Sequence, residues 1–227
     1  MNLQIDVGES VGAVSGILLR PPNAWAGYVL AHGAGAGMRH VFMETVAQSL
    51  AHQGIATLRY QFPYTESGGR RPDPPGVLQA TVRAAVAKAR EIAPELPLIA
   101  GGKSLGGRMT SNAASHHPLR GVLGLVFLGF PLHPPKQPGE RRAEHLRDVE
   151  LPMLFLQGTR DALAELDLIT AVCGRLGPKA KLHVVEGADH SFAVLKRSGR
   201  NGAEVMEELT TTITEWVRSL VSGSAPP

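Results

Sequence analysis

One serine in this chain stands between glycines, in the segment Gly-Lys-Ser-Leu-Gly at residues 102–106. The segment follows an apolar run at residues 98–100 and precedes a stretch with helical composition. A strand, a tight turn and a helix around G-x-S-x-G form a nucleophile elbow, which exposes the serine hydroxyl on a strained turn. The pattern predicts that Ser104 attacks an electrophilic centre such as a carbonyl carbon.

The same residues contain Gly-Lys-Ser, which also occurs in phosphate-binding P-loops. A P-loop would require glycine at position 97, where this chain has proline. The residues after that proline have the composition of a strand, not of a loop that wraps a triphosphate. A lone G-x-S-x-G string also occurs in ordinary strand-to-helix turns, so support for the elbow depends on the other motifs of the chain.

A serine nucleophile needs a base that removes its proton and a carboxylate that orients the base. Two predicted strands downstream lead into candidates: residues 152–158 are followed by Asp161, and residues 181–185 by a loop that holds His190. The carboxyl ends of parallel strands share one edge of a sheet, so we expect both side chains to lie near Ser104. Asp189 is the alternative acid, but neighbours on a short loop seldom point at each other.

An oxyanion hole requires backbone N–H groups aimed at the developing negative charge. The segment His-Gly-Ala-Gly-Ala-Gly at residues 32–37 follows an apolar run and occupies the turn after an early strand. We expect the N–H groups of Leu105 and Ala34 to be the donors, with Gly35 as the alternative to Ala34. A flexible glycine loop and half of a dinucleotide fingerprint are the other interpretations. The glycine spacing is not G-x-G-x-x-G, and the acid expected about 20 residues further on is missing.

Three segments, Gly-x-Ser-x-Gly, Gln-Gly-Thr-Arg-Asp161 and Gly-Ala-Asp-His190-Ser-Phe, together resemble the catalytic segments of the α/β-hydrolase superfamily. The chain is similar to the small dienelactone-hydrolase-like branch, and most of all to the testis-expressed protein thirty group, through His-Gly-Ala-Gly and Gly-Gly-Lys-Ser-Leu-Gly-Gly-Arg. The resemblance implies Ser104 as nucleophile, Asp161 as acid and His190 as base. Dienelactone hydrolases proper use a cysteine nucleophile, whereas Cys173 here lies in a predicted helix, which favours ester-type chemistry.

Apolar runs alternate with helical patterns along the chain, which predicts an α/β fold: a mostly parallel twisted sheet with helices on both faces. Residues 3–7 and 11–19 predict an antiparallel hairpin at its amino-terminal edge. Residues 129–151 are too few for a large lid domain, so we expect an accessible site for small or extended acyl substrates. We expect a single α/β-hydrolase domain over residues 1–221 and a disordered tail over residues 222–227.

Composition narrows the class of protein. A length of 227 residues, with 43% hydrophobic and 19% charged residues, suits one globular domain with a sizeable core. The net charge of +3 is slight and the basic residues are spread, so nucleic-acid binding is not indicated. There is no apolar run near the ~20 residues that span a bilayer and no signal-peptide pattern, so we expect a cytoplasmic protein without membrane attachment. The oligomeric state is not indicated.

The remaining ionisable residues give weaker signals. The histidines lack paired metal-ligand spacing, so we expect neither a metal nor a cofactor. Two basic clusters stand out: Arg70 with Arg71, and Lys136 with Arg141, Arg142 and Arg147. Most such clusters are solvated surface. We hypothesise that some of them, Arg70 and Arg71 first, flank the mouth of the site and favour an anionic substrate.

These patterns together predict hydrolysis of an ester or thioester through an acyl-enzyme, without a metal. An alcohol or amine in place of water would make the same site an acyltransferase. A binding or scaffold protein with this fold is the alternative from another class, because a fold does not determine function. The intact serine, acid and histidine pattern argues against the scaffold.

Overall fold

The computed structural model describes residues 1–223, which form one central sheet with the strand order β1-β2-β4-β3-β5-β6-β7-β8. The strands are β1 (Asn2–Asp6), β2 (Ala13–Leu19), β3 (Ala26–Ala31), β4 (Ile55–Tyr60), β5 (Leu98–Lys103), β6 (Val122–Leu128), β7 (Met153–Gly158) and β8 (Ala180–Val185). The strands β1 and β2 form an antiparallel hairpin at one edge, and β2 pairs antiparallel with β4. All pairs from β4 to β8 are parallel, as the predicted α/β-hydrolase fold requires.

Helices connect the strands and cover both faces of the sheet. They are α1 (Val41–His52), α2 (Pro63–Glu66), α3 (Pro75–Ile92), α4 (Leu105–His116), α5 (Leu166–Leu176) and α6 (Gly202–Gly223). Between β6 and β7 the chain forms the 3₁₀ segment Arg141–Asp148 and turns, and no lid domain is present in the described part. Helix α6 includes residues 222 and 223, which we expected in the tail, and residues 224–227 lie outside the described residues.

The sheet separates two buried apolar layers, as the alternating side chains of β3 show. Val29 and Ala31 pack in the layer beneath α3, α4 and α5, whereas Tyr28 and Leu30 pack in the layer beneath α1 and α6. All six residues of β3 are buried, as expected for a parallel strand that is covered on both sides. The apolar side chains of α6 belong to this core and include Val205, Leu209, Ile213, Trp216 and Val217.

The carboxyl ends of β3, β5, β7 and β8 meet at one edge of the sheet, because these strands run parallel. The loops that leave those strands hold the predicted oxyanion segment, Ser104, Asp161 and His190. Within residues 1–223, no helix has the length and apolar character that crossing a membrane demands.

Candidate active site

Ser104 occupies a sharp turn between β5 and α4, with a backbone φ of 50° and ψ of −113°. A positive φ is strained for a residue with a Cβ atom and occurs mainly where the surroundings enforce it. Here the Ser104 N–H donates to the carbonyl of Leu128, 3.1 Å away, and the Ser104 carbonyl accepts from the N–H of Arg108 at 3.1 Å. Strand β6 and the first turn of α4 therefore hold the serine in this conformation.

Glycines beside the serine allow the elbow to pack directly on the end of β3. A Cβ atom on Gly102 would lie 2.2 Å from the carbonyl oxygen of Ala31, and one on Gly106 would lie 2.6 Å from the same oxygen. Real Cβ atoms do not approach a backbone oxygen this closely. These two glycines are therefore needed where the elbow crosses β3, as the motif predicts.

Ser104, His190 and Asp161 are joined in one chain of hydrogen bonds, although they come from three separate loops. The Ser104 Oγ lies 2.9 Å from His190 Nε2, and His190 Nδ1 lies 2.7 Å from Asp161 Oδ2. When Nδ1 carries the ring proton and donates it to the carboxylate, Nε2 is free to accept the serine proton. The Asp161 side chain is fully buried, whereas a quarter of the His190 side chain is exposed.

Two further groups hold the Asp161 carboxylate in place. Gln157 Nε2 donates to Oδ2 at 2.5 Å, and the backbone N–H of Leu163 donates to Oδ1 at 2.8 Å. Gln157 is itself fixed, since its Oε1 accepts from the N–H of Phe130 at 3.0 Å. Sequence reasoning missed Gln157, although it stands in the Gln-Gly-Thr-Arg-Asp segment that identified Asp161.

The neighbouring acid, Asp189, has a different part in the structure. Its Oδ1 accepts the backbone N–H groups of Ser191 at 2.8 Å and Ala193 at 3.0 Å. These bonds shape the turn after His190, where Phe192 has a positive φ of 62°. Asp189 thus orders the loop, while Asp161 is the carboxylate that contacts the imidazole.

Two of the three expected oxyanion residues, Ala34 and Gly35, line the same cavity as Ser104. The third, Leu105, directly follows the serine as the first residue of α4 and is not a lining residue. Among residues 1–223, no acceptor takes a hydrogen bond from the N–H of Leu105 or Ala34. Neither N–H group is therefore engaged by another part of the described chain.

His32 supports the loop that carries Ala34. Its Nε2 accepts the backbone N–H of Phe62 at 3.1 Å, and its Nδ1 lies 2.8 Å from the carbonyl of Gly33. Burial lowers the pKa of His32, although the Gly33 carbonyl partly opposes this. The ring is therefore a neutral link between the loop after β3 and the segment after β4.

Lys103, directly before the nucleophile, is a site residue that sequence reasoning missed. Its Nζ donates to the carbonyl oxygen of His190 at 2.6 Å and lies 5.6 Å from the ring centre of Phe192. Burial lowers the pKa of Lys103 to about 8, although the charges of Asp161 and Asp189 raise it. The only sequence signal for Lys103 is the Gly-Lys-Ser string. That string suggests a P-loop and gives no indication that the lysine contacts the loop of His190.

The cavity above Ser104 has a volume of about 540 Å³ and walls that are mostly apolar. The rings of Phe42 and Phe192 stack at its side, with centres 5.9 Å apart and an angle of 8° between them. Helix α6 contributes Val205 and Met206 to the lining of the cavity. The cavity is within the size range of sites for small molecules.

The basic residues that we expected at the mouth do not line this cavity. Arg70 and Arg71 are exposed in the segment after α2. Their contact with a substrate therefore stays a prediction. Within the described chain, no group of three or more His, Cys, Asp or Glu side chains is arranged to hold a metal ion.

Known proteins share this architecture. Dienelactone hydrolase from Anabaena variabilis is 21% identical over 96% of each chain, with a TM-score of 0.75. XC6422 from Xanthomonas campestris, a serine hydrolase without a lid, is 18% identical over 100% of this chain and 96% of its own, with a TM-score of 0.70. Est1E from Butyrivibrio proteoclasticus, solved with ferulic acid bound, is 16% identical over 97% of this chain and 99% of its own, with a TM-score of 0.74.

These identities are low, so the likeness to the three structures shows a common fold and not a common activity. The family evidence is separate and comes from the sequence. A model of the family described as the alpha/beta hydrolase domain matches residues 25–218, which is most of the chain. That segment contains Ser104, Asp161, His190 and the loop after β3, and the chain belongs to the alpha/beta hydrolase domain family.

Proposed function

We propose that this protein is a serine hydrolase that cleaves an ester or thioester through an acyl-enzyme intermediate. The observation that carries the proposal is the continuous hydrogen-bond chain from Ser104 Oγ through His190 to the buried Asp161 carboxylate. A serine hydroxyl becomes a useful nucleophile only with such a base beside it.

In the first half of the reaction, Ser104 Oγ attacks the substrate carbonyl carbon while its proton passes to His190 Nε2. The carbonyl oxygen becomes an oxyanion, which the N–H groups of Leu105 and Ala34 stabilise. Asp161 stabilises the imidazolium that has formed. When the tetrahedral intermediate collapses, His190 returns the proton to the leaving alcohol or thiol, and the acyl group stays on Ser104.

In the second half, water takes the place of the leaving group. His190 removes a proton from the water as its oxygen attacks the acyl carbon, and the same donors stabilise the second oxyanion. Collapse breaks the bond to Ser104 Oγ, which regains its proton from His190. The carboxylic acid leaves and the free enzyme is restored.

The cavity supports a small or extended acyl group with apolar or aromatic character. Phe42, Phe192 and Met206 offer flat or flexible apolar surface close to Ser104. The absence of a lid from the described residues leaves one side of the cavity open, so a longer substrate can project from it. Recognition of an anionic group by Arg70 and Arg71, which do not line the cavity, stays a separate prediction.

The position of the cysteine favours the serine as nucleophile. Cys173 is buried in α5, away from the elbow, and burial raises the pKa of its thiol to about 11. A thiol with so high a pKa is almost entirely protonated near pH 7 and is a poor nucleophile.

The segments around Ser104 and His32 also support placement with the testis-expressed protein thirty group, a narrower relationship that we propose on their sequences alone.

A fluorophosphonate probe followed by peptide mapping tests the function. We expect labelling at Ser104, loss of labelling and of p-nitrophenyl acetate hydrolysis in Ser104→Ala, and retention of both in Ser191→Ala. Ser191 is a suitable control because it borders the same cavity but is not joined to the imidazole nitrogens. A wild-type protein that unfolds cooperatively yet resists the probe would contradict the proposal and favour a scaffold.

A further inference from the structure

A second cavity, of about 590 Å³, lies between α4 and the segment that joins β6 to β7. Among the described residues, it shares no lining residue with the cavity at Ser104. Its polar wall contains three arginines and two histidines: Arg108, Arg141, Arg142, His133 and His145. This concentration of cationic side chains around a concave surface is suited to an anion.

Arg108 projects from the first turn of α4 and is partly buried. Its Nε is inaccessible to solvent and has no hydrogen-bond partner, and no carboxylate within residues 1–223 forms an ion pair with its guanidinium. Burial lowers the pKa of Arg108, and the nearby charge of Arg142 lowers it further. Both guanidinium groups line the same cavity.

Arg142 is also partly buried and is held at the cavity by a backbone contact. Its Nη1 donates to the carbonyl oxygen of His133 at 3.0 Å, which leaves most of its N–H groups free. Burial lowers its pKa as well. Three carboxylates in this region already have other partners: Glu140 pairs with Arg175, Asp148 pairs with Arg147, and Glu165 contacts the ring of His133.

His145 adds a neutral group to the wall. Burial lowers its pKa to about 4, and the charges of Arg108 and His116 act in the same direction. Its Nε2 lies 2.8 Å from Ser111 Oγ and 3.0 Å from Asn112 Nδ2, so both residues of α4 hold the ring. Near pH 7 His145 thus adds no positive charge to this wall.

We propose that this cavity binds the phosphate group of a small organic molecule between the guanidinium groups of Arg108 and Arg142. A phosphate monoester carries close to two negative charges near pH 7, which matches two arginines without acidic partners. The planar N–H forks of arginine also match pairs of phosphate oxygens. The cavity is larger than a phosphate ion, so there is room for an organic substituent.

Isothermal titration in phosphate-free Tris at pH 7.5 tests the site with three probes: phenyl phosphate, inorganic phosphate and glutarate, at matched chloride concentration. We expect saturable binding of both phosphates by the wild type and weaker binding of glutarate. Arg108→Met and Arg142→Met should each weaken phosphate binding by at least about tenfold, since each removes a charge-assisted contact. Arg197→Met is the control, because Arg197 is exposed in a distant loop.

Thermal unfolding without phosphate checks that the variants fold. Both variants should still unfold in one cooperative transition, although Arg142→Met also loses the hydrogen bond to the carbonyl oxygen of His133. No saturable binding by the wild type, tighter binding of glutarate, or unchanged affinity in both arginine variants would overturn the proposal. If the wild type binds inorganic phosphate but not phenyl phosphate, the proposal that the ligand is an organic phosphate is wrong. These titrations do not involve Ser104, so their failure is separate from failure of the proposed hydrolase.

Discussion

The ammonium of Lys103 donates a 2.6 Å hydrogen bond to the backbone carbonyl of His190. The residue before the proposed nucleophile therefore holds the loop that carries the proposed base, and the two loops are linked independently of the Ser104–His190 contact. The same ammonium lies over the rings of Phe42 and Phe192, so it also joins the elbow to the wall of the cavity.

Lys103→Met should change how stability depends on pH. The folded-state pKa of Lys103 is lowered to about 8 from 10.5, so the unfolded chain binds the extra proton between these values. Burial of the ammonium therefore costs stability in full below pH 8, and the cost disappears as the pH rises toward 10.5. Wild type should gain about 2–3 kcal/mol relative to Lys103→Met between pH 7 and pH 10.

Urea unfolding of both proteins at the two pH values measures this difference. Lys181→Met, at an exposed position of β8, serves as the control and should follow the wild type at both pH values. A constant difference between wild type and Lys103→Met would show that Lys103 titrates at the same pH in the folded and unfolded chains.

Asp161→Asn should lower kcat by about 10²–10⁴-fold, because an amide that donates to Nδ1 favours the wrong imidazole tautomer. Asp189→Asn should retain nearly the wild-type rate, since Asn keeps an oxygen that can accept the N–H groups of Ser191 and Ala193. Steady-state hydrolysis of p-nitrophenyl acetate by the two folded variants is the measurement. If Asp189→Asn is the more damaging change, the acid is wrongly assigned.

Gly106→Ala should destabilise the protein by about 2–3 kcal/mol, because the new Cβ meets the rigid end of β3. That Cβ would lie 2.6 Å from the Ala31 carbonyl oxygen. Gly174→Ala is the matched control in α5, where a Cβ meets no atom within 4 Å. It should stabilise the protein by about 0.5–1 kcal/mol through helix propensity. Chemical denaturation of both variants tests the pair, and equal effects would contradict the contact.

Met206→Trp should narrow the cavity from the side of α6. The variant enzyme should then hydrolyse esters of long acyl chains more slowly than esters of short ones. We expect kcat/KM for p-nitrophenyl octanoate to fall by about tenfold or more relative to the acetate ester. Val184→Trp, which adds the same side chain on the exposed face of β8, should alter neither ester. Equal losses for acetate and octanoate in Met206→Trp would show that the acyl chain does not occupy this cavity.

The strand pattern was predictable because each central strand is a short apolar run that both faces of the sheet bury. Residues 3–7 were expected as the first strand, and Asn2–Asp6 is observed, so the hairpin was found but its ends were displaced. Helix α2 was missed because four residues that begin with Pro63 are too short to show a helical period. In the connection between β6 and β7, residues Arg141–Asp148 form a 3₁₀ segment.

Ser104, Asp161 and His190 were identifiable from sequence because each follows a recognisable strand, and parallel strands end together. The side walls of the cavity could not be predicted from the sequence. Phe42, Phe192 and Met206 meet only through the packing of α1 and α6 on the sheet. Arg70 and Arg71 do not line the cavity, and a charge cluster in the sequence carries no information about which way its loop turns.

The left-handed backbone at Ser104 has a thermodynamic consequence for any redesign of this molecule. Glycine adopts a φ of 50° without steric penalty. The free energy of unfolding should therefore be higher for Ser104→Gly than for the wild type. A search for thermostable variants by melting temperature alone would therefore enrich for glycine at this position. Such a screen would discard the one hydroxyl that the neighbouring imidazole is placed to deprotonate.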